Sequence, residues 1–340
     1  MAFLSDPGRI AVTGGAGYIG SHTSTALLEA GHEVLILDSF ANAEDDVPDR
    51  IAAITGRRAE VERLDITDGG ALGRALAAFK PDAVVHFAGL KAVGEAMTAP
   101  LEYYRVNVAG SLSLFRELAE IACNRLVFSS SATVYGDPDQ VPIPEDHPLA
   151  PTNPYGQSKR MVEQIVEDWG RANARLAAVN LRYFNPAGAH PSARIGEAPE
   201  GVPNNLMPYL TQVAVGWRER LSVFGDDYDT PDGTGVRDYI HVVDLAEAHL
   251  AALALTGAGP GVHAINVGTG QGYSVLEMIH AFEAASGKDI PFVITDRRPG
   301  DIATSLADPT LAAKRLNWRA HRSLEDMCRD AWAWQRGRNR

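Results

Sequence analysis

Gly14, Gly17 and Gly20 stand three residues apart, directly between a short apolar run, Ile10 to Thr13, and a helix-forming run, Tyr18 to Glu29. A strand that turns into a helix over so few residues needs glycine, and the free N–H groups at the helix start, with its dipole, favour an anion. Alone, the spacing also fits a glycine turn with no ligand. Asp38 argues for the phosphate cradle, since it ends a second strand pattern, Glu33 to Leu37, about 20 residues further on. A carboxylate there accepts hydrogen bonds from an adenosine ribose and repels a 2′-phosphate. A capping aspartate is the alternative, yet a cap does not explain its place after a strand. The expected ligand is therefore NAD rather than NADP, and Asp65, in Leu-Asp-Ile-Thr, is a candidate for the adenine pocket.

The surrounding pattern is α/β. Strand patterns at Val61 to Leu64, Ala83 to Phe87, Leu126 to Ser129 and Leu176 to Leu181 read as buried. They alternate with helical runs at Ala71 to Phe79, Leu101 to Ile121 and Tyr155 to Ala172, which predicts a Rossmann-type doubly wound parallel sheet. A chain of 340 residues exceeds the size at which single cores stop growing, so a smaller C-terminal substrate-binding lobe is expected. The expected division is a dinucleotide-binding domain over 1–184 and a lobe over 185–340, interleaved because segments near 238–267 return to the main sheet. Short helices are expected at Leu206 to Gly216, Val242 to Leu255 and Val275 to Ser286, and a strand at Ala264 to Val267.

A net charge of −12 argues against a nucleic-acid or anionic-membrane partner, so local arginines must hold any anionic ligand. Only Cys123 and Cys328 are present, without metal-ligand spacing, and they read as buried or idle thiols in a reduced, cytoplasmic setting. The opening residues, MAFLSDPGRI, lack the pattern of a signal peptide, and no run reaches the ~18 apolar residues of a membrane span.

Chemistry enters with Tyr155 and Lys159. A phenol with an ordinary pKa of about 10 is a poor base near neutrality. If the segment after Pro154 is helical, Lys159 lies one turn away on the same face, and its charge favours the phenolate. Ser131, with Thr133 as a possible second hydroxyl, can orient a substrate hydroxyl against Tyr155. Each feature alone has a bland reading, a strand-end turn or a helix start. Joined to a dinucleotide loop, they point to hydride chemistry on an alcohol carbon.

The segments GGAGYIGSH, HFAGLKAVGE, SSSATVYGD, PYGQSK, LRYFNPAGAHPS, PNNLMPYLTQVAVG, DGTGVRDYIHV and RRPGD extend this over nearly the whole chain. In them the sequence resembles the extended short-chain dehydrogenase/reductase superfamily and, within it, the UDP-glucose 4-epimerase family. That resemblance implies reversible inversion at C4 of a UDP-hexose through a 4-keto sugar, with NAD tightly bound and regenerated. It gives catalytic roles to Ser131, Tyr155 and Lys159. It places Gly14, Gly17, Tyr18, Ile19, Gly20, Asp38, Asp65, Ile66, Phe87, Ala88, Gly89, Lys91, Ser129, Tyr155, Lys159 and Tyr183 at the cofactor. On the substrate it places Lys91, Ser131, Thr133, Tyr155, Asn185, Asn204, Asn205, Leu206, Phe224, Arg237, Tyr239, Arg298, Asp301 and Ser305. Arg237 and Arg298 match phosphate contacts, Asp301 a ribose or sugar contact, and Phe224 a ring stacked near uracil. No metal is implied. A homodimer is, through the Leu101 to Glu120 and Lys159 to Arg171 helices, although their apolar faces could also be filled within one chain.

Two positions depart from some relatives. Ser305 falls where others carry tyrosine, and a small residue there leaves room for an N-acetyl group, so UDP-N-acetylglucosamine is a further candidate substrate; a loop serine without such influence would look the same. Val106, before Asn107, replaces an asparagine that contacts the cofactor. A nucleotide-sugar 4,6-dehydratase shares the fold, NAD and the Tyr/Lys pair but needs a carboxylate pair beside the catalytic hydroxyl, which Ala132 and Thr133 do not supply. A nucleotide sensor on the same fold has little use for Ser131, Tyr155 and Lys159 together.

Overall fold

The apolar strands pair into one parallel sheet in the computed structural model, which describes residues 7–199, 201–298 and 300–338. Its strands are β1 (Arg9–Thr13), β2 (Glu33–Asp38), β3 (Glu60–Arg63), β4 (Ala83–His86), β5 (Arg125–Ser129), β6 (Ala177–Tyr183) and a seventh, Gly261–Val267. From one edge the order is the seventh strand, β6, β5, β4, β1, β2, β3, so the chain reverses direction across the sheet between β1 and β4. Side chains alternate between two faces, and each face has its own core. Ile10, Val12, Val34, Ile36 and Val85 face helix α1 (Tyr18–Glu29) and the helix Val242–Gly257. Ala11, Leu35, Leu37, Val84 and Leu126 face Leu72, Leu76, Leu114, Leu118 and Val162 on the other side. Burial on both faces is what continuous apolar strands require.

The third strand differs from expectation. All four of its residues are exposed, Val61 among them at 40%, because it is the edge of the sheet. Its Glu60, Glu62 and Arg63 give that edge the charge that discourages pairing with another chain. The expected continuous helix over Leu101 to Ile121 is also interrupted. A helical turn, Pro100–Tyr103, runs into a π-helical turn, Tyr104–Ala109, before Gly110–Glu120 resumes the α-helix. The wide turn presents Asn107, whose Nδ2 donates to the Leu90 carbonyl and to Ser158 Oγ, both at 3.0 Å, while its Oδ1 accepts from Leu90 N at 2.7 Å. The loop after β4 is thereby fixed to the helix Pro154–Ala172.

After Phe184 a smaller core gathers Met207, Leu210, Met278, Ile279, Phe282, Met327, Cys328 and Trp332 from the helices Leu206–Ala214, Val275–Ser286 and Leu324–Arg338. Val275–Ser286 starts where Ser274 and Glu277 form a capping box. The last helix went unread in the sequence. Cys123 and Cys328 are buried free thiols.

The three glycines carry unequal burdens. Gly14 has φ +67°, and a Cβ on Gly20 would sit 2.0 Å from the Gly14 carbonyl oxygen. Gly20→Ala should therefore lose about 3 kcal/mol of stability or more. Urea unfolding measures this, and a midpoint equal to wild type would refute the close-approach argument.

Candidate active site

The strand order reverses between β1 and β4, and the crevice outside the carboxyl ends of the strands at such a point is where open α/β sheets bind ligands. A Cβ on Gly17, the residue that precedes α1, would stand 3.3 Å from the Gly14 carbonyl oxygen, so backbone passes close to the helix N-terminus, and the first turn carries no acidic side chain. Asp38 is held by Ala16 N and Phe40 N, one at each oxygen and both at 2.9 Å, which leaves acceptor capacity for two adjacent hydroxyls. Asp65 is exposed and pinned on one oxygen by Thr67, while Ile66 beside it is buried against Gly110. Ala88 N donates to the Thr13 carbonyl, Phe87 packs against His249, and Gly89 takes a positive φ where a Cβ would press on Asn107. Tyr18 OH donates to the Gly188 carbonyl, and Ile19 packs on the core. These donors, acceptors and small residues fit a dinucleotide such as NAD.

Pro154–Ala172 begins where Asn153 Oδ1 caps Gly156 N at 2.9 Å, with Pro154 in the first turn. That start sets Tyr155 and Lys159 on one face, pointing at the end of β5. Lys159 Nζ donates to the Ser129 carbonyl at 2.8 Å and lies 5.9 Å from the Tyr155 ring centroid. Ser129 Oγ donates to Tyr183 OH, and Thr133 Oγ1 donates to Ser131 Oγ at 3.0 Å. Burial raises Tyr155 well above the ordinary phenol value, Tyr183 and Tyr103 add to this, and the Ser131 hydroxyl opposes it. Burial also lowers Lys159 to about 8, against the pull of Glu163. Both groups are thus driven towards neutrality by the same desolvation. His86 beneath them is lowered to about 3 by burial and the Lys159 charge, and it bonds Thr13 and Ser111 as a neutral support.

Across the crevice Arg237 lies on the short strand Val236–Arg237, in register with Ser305 on Thr304–Ser305. Asn185 is in register with Tyr239 on another short pair. Tyr239 turns its ring into the small core, and burial pushes its phenol up to about 12. Arg298 lies over the Phe224 ring, 4.6 Å from its centroid, and its Nε donates to Asp301 at 2.9 Å. Asn204 is exposed in the turn before Asn205 and Leu206, which open the Leu206–Ala214 helix.

Residues 10–268 match the NAD dependent epimerase/dehydratase family. The chain belongs to that family. It is 55% identical over 326 residues to a UDP-glucose 4-epimerase of Bacillus subtilis, covering 96% of each chain, and 53% identical over 335 residues to the human UDP-glucose 4-epimerase, again with 96% of each covered. The fold matches a UDP-glucose-4-epimerase of Stenotrophomonas maltophila, solved with NAD and formylated UDP-arabinopyranose. The TM-score is 0.96 at 48% identity, with 98% of this chain and 99% of that one covered. The Bifidobacterium longum enzyme, solved with NAD+ and UDP, gives 0.95 at 47% identity, with 97% and 99% covered.

Within an epimerase/dehydratase family the neighbours of the phenol discriminate. Those that shift Tyr155 are Tyr183, Ser131 and Tyr103, with no carboxylate among them. A residue missed in the sequence, Glu197, joins the two sides of the crevice: its Oε1 accepts from Lys91 Nζ at 2.8 Å and from Asn205 Nδ2 at 2.7 Å. Lys91, expected near the phosphates, thus makes an ion pair from its loop to the opposite wall. Pro299 of RRPGD lies outside the described residues. Because a Cβ on Gly17 would stand 3.3 Å from the Gly14 carbonyl oxygen, against 2.0 Å for one on Gly20, Gly17→Ala should lower the melting temperature far less than Gly20→Ala yet bind NAD about tenfold more weakly, as its methyl enters the phosphate approach. Calorimetric titration of NAD-stripped protein checks this, and unchanged affinity would move the pyrophosphate elsewhere.

Proposed function

We propose that the protein interconverts UDP-glucose and UDP-galactose by reversible inversion at C4, with NAD tightly bound. The reading is carried by a buried Tyr155, Lys159 and Ser131 constellation whose phenol is shifted by Tyr183, Ser131 and Tyr103 rather than by a carboxylate, in a chain so similar to UDP-glucose 4-epimerases over nearly its full length. Bound NAD supplies hydride uptake and return at C4. Tyr155 accepts the 4-hydroxyl proton and returns it to the oxygen once the sugar has presented its other face. Ser131, oriented by Thr133, holds that oxygen, and Lys159 provides the positive charge that makes phenolate accessible. Asp38 takes the adenosine ribose, and the remaining loop residues named above line the dinucleotide. Arg237 and Arg298 hold the diphosphate, with Phe224 at the base and Asp301 at a ribose or sugar hydroxyl. Asn185, Asn204, Asn205 and Leu206 shape the sugar side, whereas the Tyr239 ring, expected there, is taken up by the small core. The division at 184/185, with return of the 238–267 segment, separates these two sets.

Dimerisation is part of the proposal. Leu101 is 82% and Met97 60% exposed, and Leu112 and Met161 add apolar surface on the helices expected to pack against a second copy. A cytoplasmic location fits two free thiols, and among the described residues no helix is long and apolar enough to cross a membrane.

Purified protein given UDP-galactose without added NAD should form UDP-glucose, and Tyr155→Phe should lower kcat by roughly 10²–10⁴ while nucleotide binding persists. Absence of product despite bound NAD would overturn the epimerase reading, and binding without turnover would favour a sensor.

Ser305 is partly buried and in register with Arg237, and its small side chain supports acceptance of UDP-N-acetylglucosamine if this strand lines the sugar. Ser305→Tyr should reduce turnover of the N-acetylated sugar by at least about tenfold and spare UDP-galactose. Equal turnover of both sugars in the variant would show that position 305 is no gate.

A further inference from the structure

Behind the reacting groups is a buried ion pair that touches neither cofactor nor substrate in the scheme above. Glu163 follows Lys159 by one helical turn and Tyr155 by two, and it is 1% exposed. Its Oε1 accepts from Ser130 Oγ at 2.5 Å and from Arg182 Nε at 3.0 Å, and its Oε2 accepts from Arg182 Nη2 at 2.6 Å. Arg182 Nη1 donates onward to Tyr135 OH at 3.1 Å and to the Glu145 carbonyl at 3.0 Å. Every partner adjoins the site. Ser130 precedes Ser131, Arg182 precedes Tyr183, and Tyr183 OH accepts from Ser129 Oγ.

Stability alone does not explain such a pair, since desolvation of two charges offsets their attraction and apolar residues of similar volume often serve as well. We propose that Glu163, held by Arg182, is a positioning residue for the reaction: it ties the Ser129–Ser131 turn to the helix that carries Tyr155 and Lys159, and it supplies the negative charge that faces Lys159. This rests on the reading of Tyr155 and Lys159 as the reacting pair. The other groups that face the lysine are Tyr155 on its own helix, the neutral His86 from β4, and the Phe128 ring and Ser129 carbonyl from β5. The Ser129 carbonyl and the Phe128 ring also favour the ammonium, but Glu163 is the carboxylate that opposes the desolvation lowering Lys159 to about 8. Without it the ammonium is lost at lower pH, and the alkaline limb of turnover moves in the acid direction.

The test is the double variant Glu163→Gln/Arg182→Met, which removes both charges together and leaves none unpaired. The chain has five lysines, Lys80, Lys91, Lys159, Lys288 and Lys314, so [15Nζ]lysine labelling resolves the Lys159 titration in the whole protein. The midpoint should fall by about one pH unit. With UDP-galactose, kcat should fall roughly 30-fold and KM stay within about threefold, as expected when a positioned group is displaced. Ser130→Ala should lower kcat about fivefold with the Lys159 titration unmoved, isolating the tether from the charge. Should the double variant not fold, Glu163→Asp keeps the charge but shortens the reach: the same titration with reduced kcat supports the tether, and wild-type kcat refutes it. A folded double variant with wild-type titration and kcat makes the pair structural filler. If wild-type protein does not turn over UDP-galactose, the functional reading fails, and the titration still decides whether Glu163 governs Lys159.

Discussion

Contact between Gly20 and the Gly14 carbonyl, too close for any Cβ, governs the rest of the molecule. It sets the angle at which α1 leaves β1 and so places the helix N-terminus at the carboxyl end of β1, beside β4, where the strand order reverses. Asp38 closes the same loop from below by accepting Ala16 N. Once those backbones are fixed, the crevice has the positive helix end and the carboxylate acceptor to which the proposed scheme assigns a diphosphate and a ribose. The catalytic helix then reaches the nicotinamide end through one capped start at Asn153 and one lysine bonded to the last residue of β5.

The same burial that shapes the crevice creates an electrostatic problem. Tyr155 is raised and Lys159 lowered, so the phenol resists giving up its proton just where the lysine resists keeping one. Proton transfer from a sugar hydroxyl requires positive charge delivered to the phenolate and little else that is negative nearby. A carboxylate at position 132 or 133 would add negative charge there, whereas alanine and threonine do not. The local chemistry that excludes elimination of water also favours simple proton uptake and return.

How much of this the sequence disclosed follows from the range of each interaction. The glycine loop, the Tyr155/Lys159 spacing and the main strands are periodic or contiguous, and they appear in the fold within a residue or two. The place of Asp38 at the end of β2 was legible because it depends on the end of one strand. The exposure of Val61 was not, since a central and an edge strand share one pattern and only the order of the sheet distinguishes them. The π-helical turn at Tyr104–Ala109 depends on Asn107 finding Leu90 and Ser158, far away in the chain. Glu197 lies 106 positions from Lys91 and offered no local signal. Glu163 did offer one: a carboxylate on the face that carries Tyr155 and Lys159 belongs to the interior, and a buried carboxylate demands a partner.

Inversion at C4 requires one part of the ligand to stay while another turns, and the groups proposed above to hold the two parts differ in strength accordingly. Arg298 is half exposed and paired with Asp301 three residues away, a contact of the kind that contributes little to stability. Exchanging that carboxylate for a diphosphate therefore costs the fold little and gains a bidentate, charge-assisted bond. The sugar side, by contrast, offers asparagine amides, a leucine and a serine, neutral groups whose individual bonds to hydroxyls are weak and interchangeable. A strongly held diphosphate and a loosely held hexose let rotation occur about the bonds between them without release. Glu197 adds a wall to that chamber, since its bonds to Lys91 and Asn205 span the opening between cofactor and sugar sides. On the proposed scheme the turning sugar is thus confined by a contact between the two halves of the crevice, whose reach is set by the fold rather than by the ligand.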